Sequence, residues 1–131
     1  MSEMVLVDTC LWVPYFNRPQ SSERQIIDAL LDEDRVSLIG PVLTEVLQGF
    51  RRQAEADWVA SALAGVVYRE LDWDDWKLSA HLGRRLASQS HRLPMTDLVV
   101  AAVALRQGWS VYTTDPHFDS ITDLKRFLPK R

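Results

Sequence analysis

Residues 93–115 read LPMTDLVVAAVALRQGWSVYTTD. Pro94 to Gln107 carries apolar residues nearly all round, so the spacing predicts a helix packed deep against other structure rather than a surface helix with one wet face. Gly108 stops it, as a glycine just past a helix end commonly does. Trp109 to Thr113 then reads as a strand, and it runs into Asp115. A buried helix feeding a short apolar strand that ends in an acid is half of an α/β unit.

The same grammar recurs upstream. Met4 to Val7 is a short apolar run ending at Asp8 and reads as a buried strand. Asn17 to Ser22 is a polar loop, and Ser22 is placed to cap a helix from Glu23 to about Glu33, with Ile26, Ile27, Leu30 and Leu31 as its apolar stripe. Val36 to Ile39 is a second strand, cut by Gly40-Pro41, with Pro41 near the first position of the next helix. In that helix Leu43, Val46, Leu47 and Phe50 follow the i, i+3, i+4, i+7 pattern. Trp58 to Leu63 reads as helix, Val66 to Leu71 as a third strand, and Asp74 to about Gln89 as a long amphipathic helix bearing Trp76, Leu78, Leu82 and Leu86. Ile121 to Leu128 is expected to add a short last strand. Strands alternating with helices predict an α/β fold with a mostly parallel central sheet flanked by helices. No repeat, linker or compositional break divides residues 1–131, so a single domain is expected.

Composition narrows the class. Of 131 residues, 47% are apolar and 25% charged, the balance of an ordinary globular protein. The lone Cys10 excludes an internal disulfide framework and a cysteine zinc site. His81, His91 and His117 form no H-x-x-x-H pair, and His117 reads as an exposed loop histidine near Asp115. The longest apolar run, Leu98 to Leu105, is far short of the ~18 residues of a membrane helix. The start MSEMVLVD has neither a basic region nor a small-residue cleavage site, so a cytoplasmic protein without a membrane segment is expected. Net charge is −3, against the basic footprint usual for a nucleic-acid binder. The cations are nonetheless mostly arginine, which grips phosphate by a bidentate fork, and setting four acids aside in a metal site leaves the remainder slightly basic.

Those four acids are Asp8, Glu45, Asp97 and Asp115. Ligands in parallel α/β sheets bind beyond the carboxyl ends of the strands. Asp8 and Asp115 come directly after strands, Glu45 lies in the first turns of the helix after the second strand, and Asp97 lies near a helix start. All four are therefore expected at one end of the sheet. Taken singly, each has a structural explanation as a turn residue, a cap or a solvated helix position. Taken together they repel, by ~4 kcal/mol for a pair ~4 Å apart at an effective dielectric of 20. Oxygen donors so placed suit Mg²⁺ or Mn²⁺, and such an ion activates water and neutralises phosphate without a Ser, Cys or His nucleophile.

At this level of detail the chain resembles the PIN-domain ribonucleases, and more narrowly the VapC-type toxins of bacterial toxin–antitoxin pairs. The resemblance rests on VLVDTCLW at the start, GPVLTEVLQGF around Glu45, LPMTDLVVAAVALRQG around Asp97 and VYTTDPHF around Asp115. It implies a three-layer PIN-like fold and a metal-dependent endoribonuclease. Asp8, Asp97 and Asp115 would hold Mg²⁺ or Mn²⁺, and with Glu45 would activate a water that cuts an RNA phosphodiester, leaving a 5′-phosphate and a 3′-hydroxyl. Thr113 matches a hydroxyl supporting the acids, Thr9 a small polar residue after the first aspartate, and Asp119 a supporting position behind the site. Cys10 stands where Ser is often found. The resemblance further implies tRNA or ribosomal RNA as substrate, a VapB-like antitoxin as partner, and a homodimer.

Other readings make different demands. A haloacid-dehalogenase-like phosphatase wants a second aspartate two residues after Asp8, where this chain has Cys10. A receiver-like domain wants a paired acid near the first strand and a strand-end lysine, and neither is found. A non-catalytic module that only binds RNA or protein would keep binding after Asp97 is neutralised. Among the remaining residues, Trp73 and Trp76 are expected to pack their helix onto the domain, and Trp12 to line a partner groove. Arg51-Arg52 and Arg84-Arg85 are solvated helix faces by default, with RNA phosphate or a partner's acids as the alternative.

Overall fold

The computed structural model describes residues 3–130. Its four strands are β1 (Val5–Val7), β2 (Val36–Ile39), β3 (Val67–Arg69) and β4 (Ser110–Tyr112), and all pair in parallel in the order β3-β2-β1-β4. Six helices connect them: α1 (Thr9–Asn17), α2 (Ser22–Asp32), α3 (Gly40–Gln48), α4 (Gln53–Leu63), α5 (Trp73–Ser88) and α6 (Met95–Gln107). This is the three-layer α/β architecture that the alternation implies. Each strand is only three or four residues long, and β1, β2 and β4 are buried throughout, which is why they appear in the sequence as short, mostly apolar runs, with buried Ser37 and Ser110 as their polar members.

Strand order locates the functional end. From β1 the sheet grows one way through β2 to β3, and β4 adds on the other side of β1. The crevice at such a reversal, beyond the carboxyl ends, is where α/β folds place ligands. Register makes this concrete: Val7 pairs with Tyr112, so Asp8 and Thr113 leave the sheet side by side. The Asp8 amide donates to the Tyr112 carbonyl at 3.0 Å.

Helix α6 is the deep helix that its composition demands, with Val99 to Ala104 buried in succession. Gly108 ends it in the left-handed conformation, φ +69°, where a β-carbon would be strained. Other elements depart from expectation. Helix α1 has no signature in the sequence, because Pro14 lies inside it and TCLWVPYF lacks a clean helical stripe. Helix α2 is capped by Ser21, one residue before Ser22, through the Arg24 amide at 3.2 Å. The buried face of α3 centres on Val42 and Val46, with Leu43 and Leu47 at its flanks and Phe50 beyond the helix end. The last strand shrinks to one bridge between Val111 and Arg126, preceded by a short 3₁₀ helix, Pro116–Ser120.

The tryptophans reverse the expected roles. Trp12 is 1% exposed and belongs to the core, so it lines no groove. It packs against Tyr15 and Phe16, ring centroids 5.3 and 6.0 Å away. Trp73 and Trp76 are 78% and 45% exposed, so neither fastens α5 to the domain. That task falls to Leu82, Leu86 and the buried Asp75 and Ser79. Arg51, Arg52, Arg84 and Arg85 are all exposed.

An acidic site at the mouth of β1 and β4

Asp8 is the residue at which β1 becomes α1. Its extended backbone makes it the N-cap of α1, and its Oδ1 accepts the Thr9 amide at 2.9 Å. Its Oδ2 accepts the Thr113 hydroxyl at 2.8 Å and the Cys10 thiol at 3.5 Å. Although it receives these donors, Asp8 is buried, and burial pushes its carboxyl above the ordinary range. Thr113 and the Thr9 amide pull it back, and Asp115 adds to the rise.

Asp97 reaches the same point from the first turn of α6 and is also buried. Burial raises its carboxyl too, and the negative charges of Asp8 and Asp115 reinforce this, while His117 opposes it. Asp115 caps the 3₁₀ helix by accepting the His117 amide at 2.9 Å, and its own amide donates to the Thr113 hydroxyl at 3.0 Å. Thr113 thus ties the two strand-end aspartates together: its hydroxyl donates to one side chain and accepts from the other's backbone.

His117 is more than a loop histidine. Its Nδ1 lies 2.8 Å from Asp97 Oδ2 and 3.2 Å from Asp115 Oδ1. Its imidazole is held above its usual pKa, chiefly by the hydrogen bond to Asp97, with Asp115 and Asp8 adding to it. One donor atom each from Asp97, Asp115 and His117 fall within 4.8 Å of one another. The available signal for His117 is its spacing, two residues past a capping aspartate, a span that folds a side chain back over the acid.

Glu45 stands at one remove. It lies in the second turn of α3, half-buried, and its Oε1 accepts the Thr9 hydroxyl at 2.8 Å. It falls ~60° round the helix from the buried Val42, at the margin of the packed face rather than at the back of the helix. Asp119 is exposed and ion-paired to Arg126 at 3.0 Å. Arg126 in turn donates to the Thr113 carbonyl at 3.4 Å, so Asp119 touches the site only through two intermediaries. Cys10 is half-buried among Asp8, Thr113 and Thr114, and burial pushes its thiol up, which favours the protonated form.

The structure therefore brings Asp8, Asp97, Asp115 and His117 together, with Glu45 joined through Thr9. Three carboxylates that repel one another, two of them pushed toward protonation, are a poor arrangement for a metal-free protein and a good one for a hard divalent cation. The donor set fits that group: oxygen atoms predominate, and they come from elements fixed by the sheet.

Fold and site together define an α/β domain with an acidic cluster at its topological switch point. The sequence pattern of the PIN domain family matches residues 5–124, and the chain belongs to that family. It is 28% identical to ribonuclease VapC11 of Mycobacterium tuberculosis over 123 residues, covering 90% of this chain and 91% of the relative. Among solved structures, VapBC2 from Rickettsia felis, bound to a DNA fragment from its promoter, superposes with a TM-score of 0.82 at 16% identity, covering 95% of this chain and 97% of that one. VapC20 of Mycobacterium tuberculosis, described as a sarcin–ricin loop cleaving toxin, gives 0.65 at 18% identity over 88% of this chain and 93% of that one. No helix among the described residues is long and apolar enough to cross a membrane.

Proposed function

We propose that this single domain is a metal-dependent endoribonuclease, the toxin of a VapBC-type pair, with tRNA or ribosomal RNA as its substrate class. The observation that carries the reading is the convergence of buried Asp8 and Asp97 with Asp115 at the β1–β4 mouth of a PIN-family fold. The 28% identity to a ribonuclease along nearly the whole chain supports it.

In this reading Asp8, Asp97 and Asp115 hold Mg²⁺ or Mn²⁺. When bound, the cation supplies Lewis acidity toward phosphate and a water acidic enough to attack phosphorus near neutral pH. The residues of the chain do the rest. Thr113 and the Thr9 amide fix the Asp8 carboxylate in one orientation. Thr9 holds Glu45 Oε1, leaving Oε2 to accept a proton from the attacking water. The P–O3′ bond breaks, and the departing 3′ oxygen takes up a proton, which leaves a 5′-phosphate and a 3′-hydroxyl.

A VapB-like antitoxin is the proposed partner. An open groove of about 310 Å³, lined by Phe16, Phe50, Ala54, Trp58 and Val59, suits an apolar segment of such a partner. Exposed Arg51 and Arg52 line the adjoining cleft together with Glu55, which pairs with Arg52 at 3.9 Å, and can exchange that pair for acidic residues of the partner. A homodimer is supported by the exposed Val67, Tyr68, Trp73 and Trp76, apolar surface that a monomer gains nothing by leaving in water.

The test is incubation of the purified chain, freed of any co-expressed partner, with total tRNA and ribosomal RNA in Mg²⁺ or Mn²⁺. Discrete fragments that require both the metal and Asp97 are expected. Cleavage that persists in EDTA or in Asp97→Asn would overturn the assignment, as would intact RNA in every reaction.

A further inference from the structure

We infer that His117, through Nδ1, is a ligand of the divalent cation proposed for this site, and that its nitrogen biases the site toward Mn²⁺ over Mg²⁺. The inference rests on that reading of the acidic centre and adds to it a donor that the four acids do not include.

Local sequence puts the ring where it is. In TTDPHF, Pro116 opens the 3₁₀ helix and Asp115 caps it by accepting the His117 amide. That turn returns the imidazole toward Asp115 and across to Asp97 on α6. Among the described residues, the polar side-chain contacts of the ring are to those two carboxylates, at 2.8 and 3.2 Å. Neighbouring ligands of a six-coordinate ion with bonds of 2.0–2.1 Å lie about 3 Å apart. Nδ1 therefore already holds about the spacing of an adjacent ligand to each oxygen, the three donor atoms lie within 4.8 Å of one another, and an ion taking Nδ1 would release its proton to solvent. A histidine serving only to position the acids would need an anchor of its own behind it; the side chain is instead 46% exposed, with no such anchor among the described residues.

Chemistry then sets the preference. Mg²⁺ is hard and keeps oxygen and water ligands, whereas an imidazole nitrogen suits the transition metals better. With His117 in place, Mn²⁺ should bind more tightly than Mg²⁺. His117→Gln should lose about tenfold in Mn²⁺ affinity and distinctly less in Mg²⁺ affinity.

The direct test is pulsed electron paramagnetic resonance of the Mn²⁺-loaded full chain at pH 8, prepared once with natural and once with ¹⁵N-labelled histidine. A ¹⁴N coupling that becomes a ¹⁵N coupling on labelling, and that disappears in His117→Gln, is the expected result. The labelled wild-type protein needs no variant, so poor folding of His117→Gln would not obscure it. Bound Mn²⁺ with no histidine coupling would overturn the inference while leaving the acidic centre standing. A coupling that persists in His117→Gln would do the same. Wild-type protein that binds no Mn²⁺ at all would overturn the proposed centre itself, and this inference with it.

Discussion

Asp75 and Asp97 are each the third residue of a helix, α5 and α6, and the two helices pack together. Both side chains are buried. Their surroundings are opposite. Asp75 closes a capping box with Asp72 and receives Arg69 at 2.9 Å and Arg106 at 2.7 Å. Burial opposes its ionisation, but the Asp72 amide and the two arginines outweigh burial and hold the carboxyl below its usual range. Among the described residues no arginine pairs with Asp97; Asp8 and Asp115 repel it, and it is held above that range, chiefly by burial. The contrast separates a structural acid from a functional one better than burial does. An aspartate supplied with cations by its own chain is finished, and one surrounded by carboxylates is waiting for a cation from outside. Helix α6 serves both: Asp97 occupies its first turn and Arg106 its last.

The largest expected effect is on chemistry. Asp97→Asn should lower metal-dependent RNA cleavage by about 10³-fold or more, which corresponds to losing ~4 kcal/mol of transition-state stabilisation. The same change should leave the melting temperature of the metal-free protein unchanged or slightly raised, since it removes a repelled charge. Cleavage assays and thermal melts in EDTA check the two halves, and a large drop in metal-free stability would make Asp97 structural after all.

Asp75→Ala should do the reverse. It leaves Arg69 and Arg106 without their shared partner, and the expected loss is about 3 kcal/mol of stability. That is the low end for breaking a buried ion pair, because both arginines keep some contact with water. Denaturant unfolding measures it, and cleavage per folded molecule should survive.

The pH dependence should differ in sign. Carboxyls raised in the folded state, Asp8 and Asp97, bind protons more tightly there than in the unfolded chain. Their contribution to stability is present at low pH and lost as pH climbs from the ordinary carboxylate range through their folded values. His117, raised above 6.5, adds stability that is lost at still higher pH. Asp75, held low, contributes stability present above the ordinary carboxylate range and lost as pH falls through its folded value. Metal-free melts across pH, for the wild type, Asp97→Asn and Asp75→Asn, should show the alkaline loss weakened in the first variant and the acid loss weakened in the second.

The smallest effects concern the supports. Thr113→Val removes the hydroxyl that orients Asp8 and should cost roughly tenfold in metal affinity, as outer hydrogen bonds to ligands do. Calorimetric titration with Mn²⁺ would show it, and an unchanged affinity would mean that the Thr9 amide alone fixes Asp8.

Much of this is legible in the sequence because the buried parallel strands β1, β2 and β4 are mostly apolar, unlike the exposed β3. VLV, VSLI and SVY announce themselves, and the residues just past each strand lie at the functional end of the sheet. Asp8 and Asp115 are legible for that reason, and Asp97 because its helix start lies at the same end. Glu45 is harder, because its orientation depends on which of Leu43 and Val42 leads the buried face, a choice that tertiary packing makes. His117 is harder still: its spacing two residues past Asp115 is the available signal, and that spacing alone does not report that the capping turn folds the ring onto two acids. Asp75 is equally hidden: DWDDW reads as three interchangeable acids, and only the arrival of Arg69 from β3 and Arg106 from α6 singles it out. The tryptophans mislead because size suggests burial, whereas 63% of Trp58 and 78% of Trp73 remain exposed.

The most direct test is calorimetric titration of Mn²⁺ into the wild type, Asp97→Asn and Asp75→Asn at pH 8. Binding by the wild type and by Asp75→Asn, lost or severely weakened in Asp97→Asn, is the expected result. Asp97→Asn binding Mn²⁺ as tightly as the wild type would contradict the claim that the acids at the mouth of β1 and β4 form the cation centre.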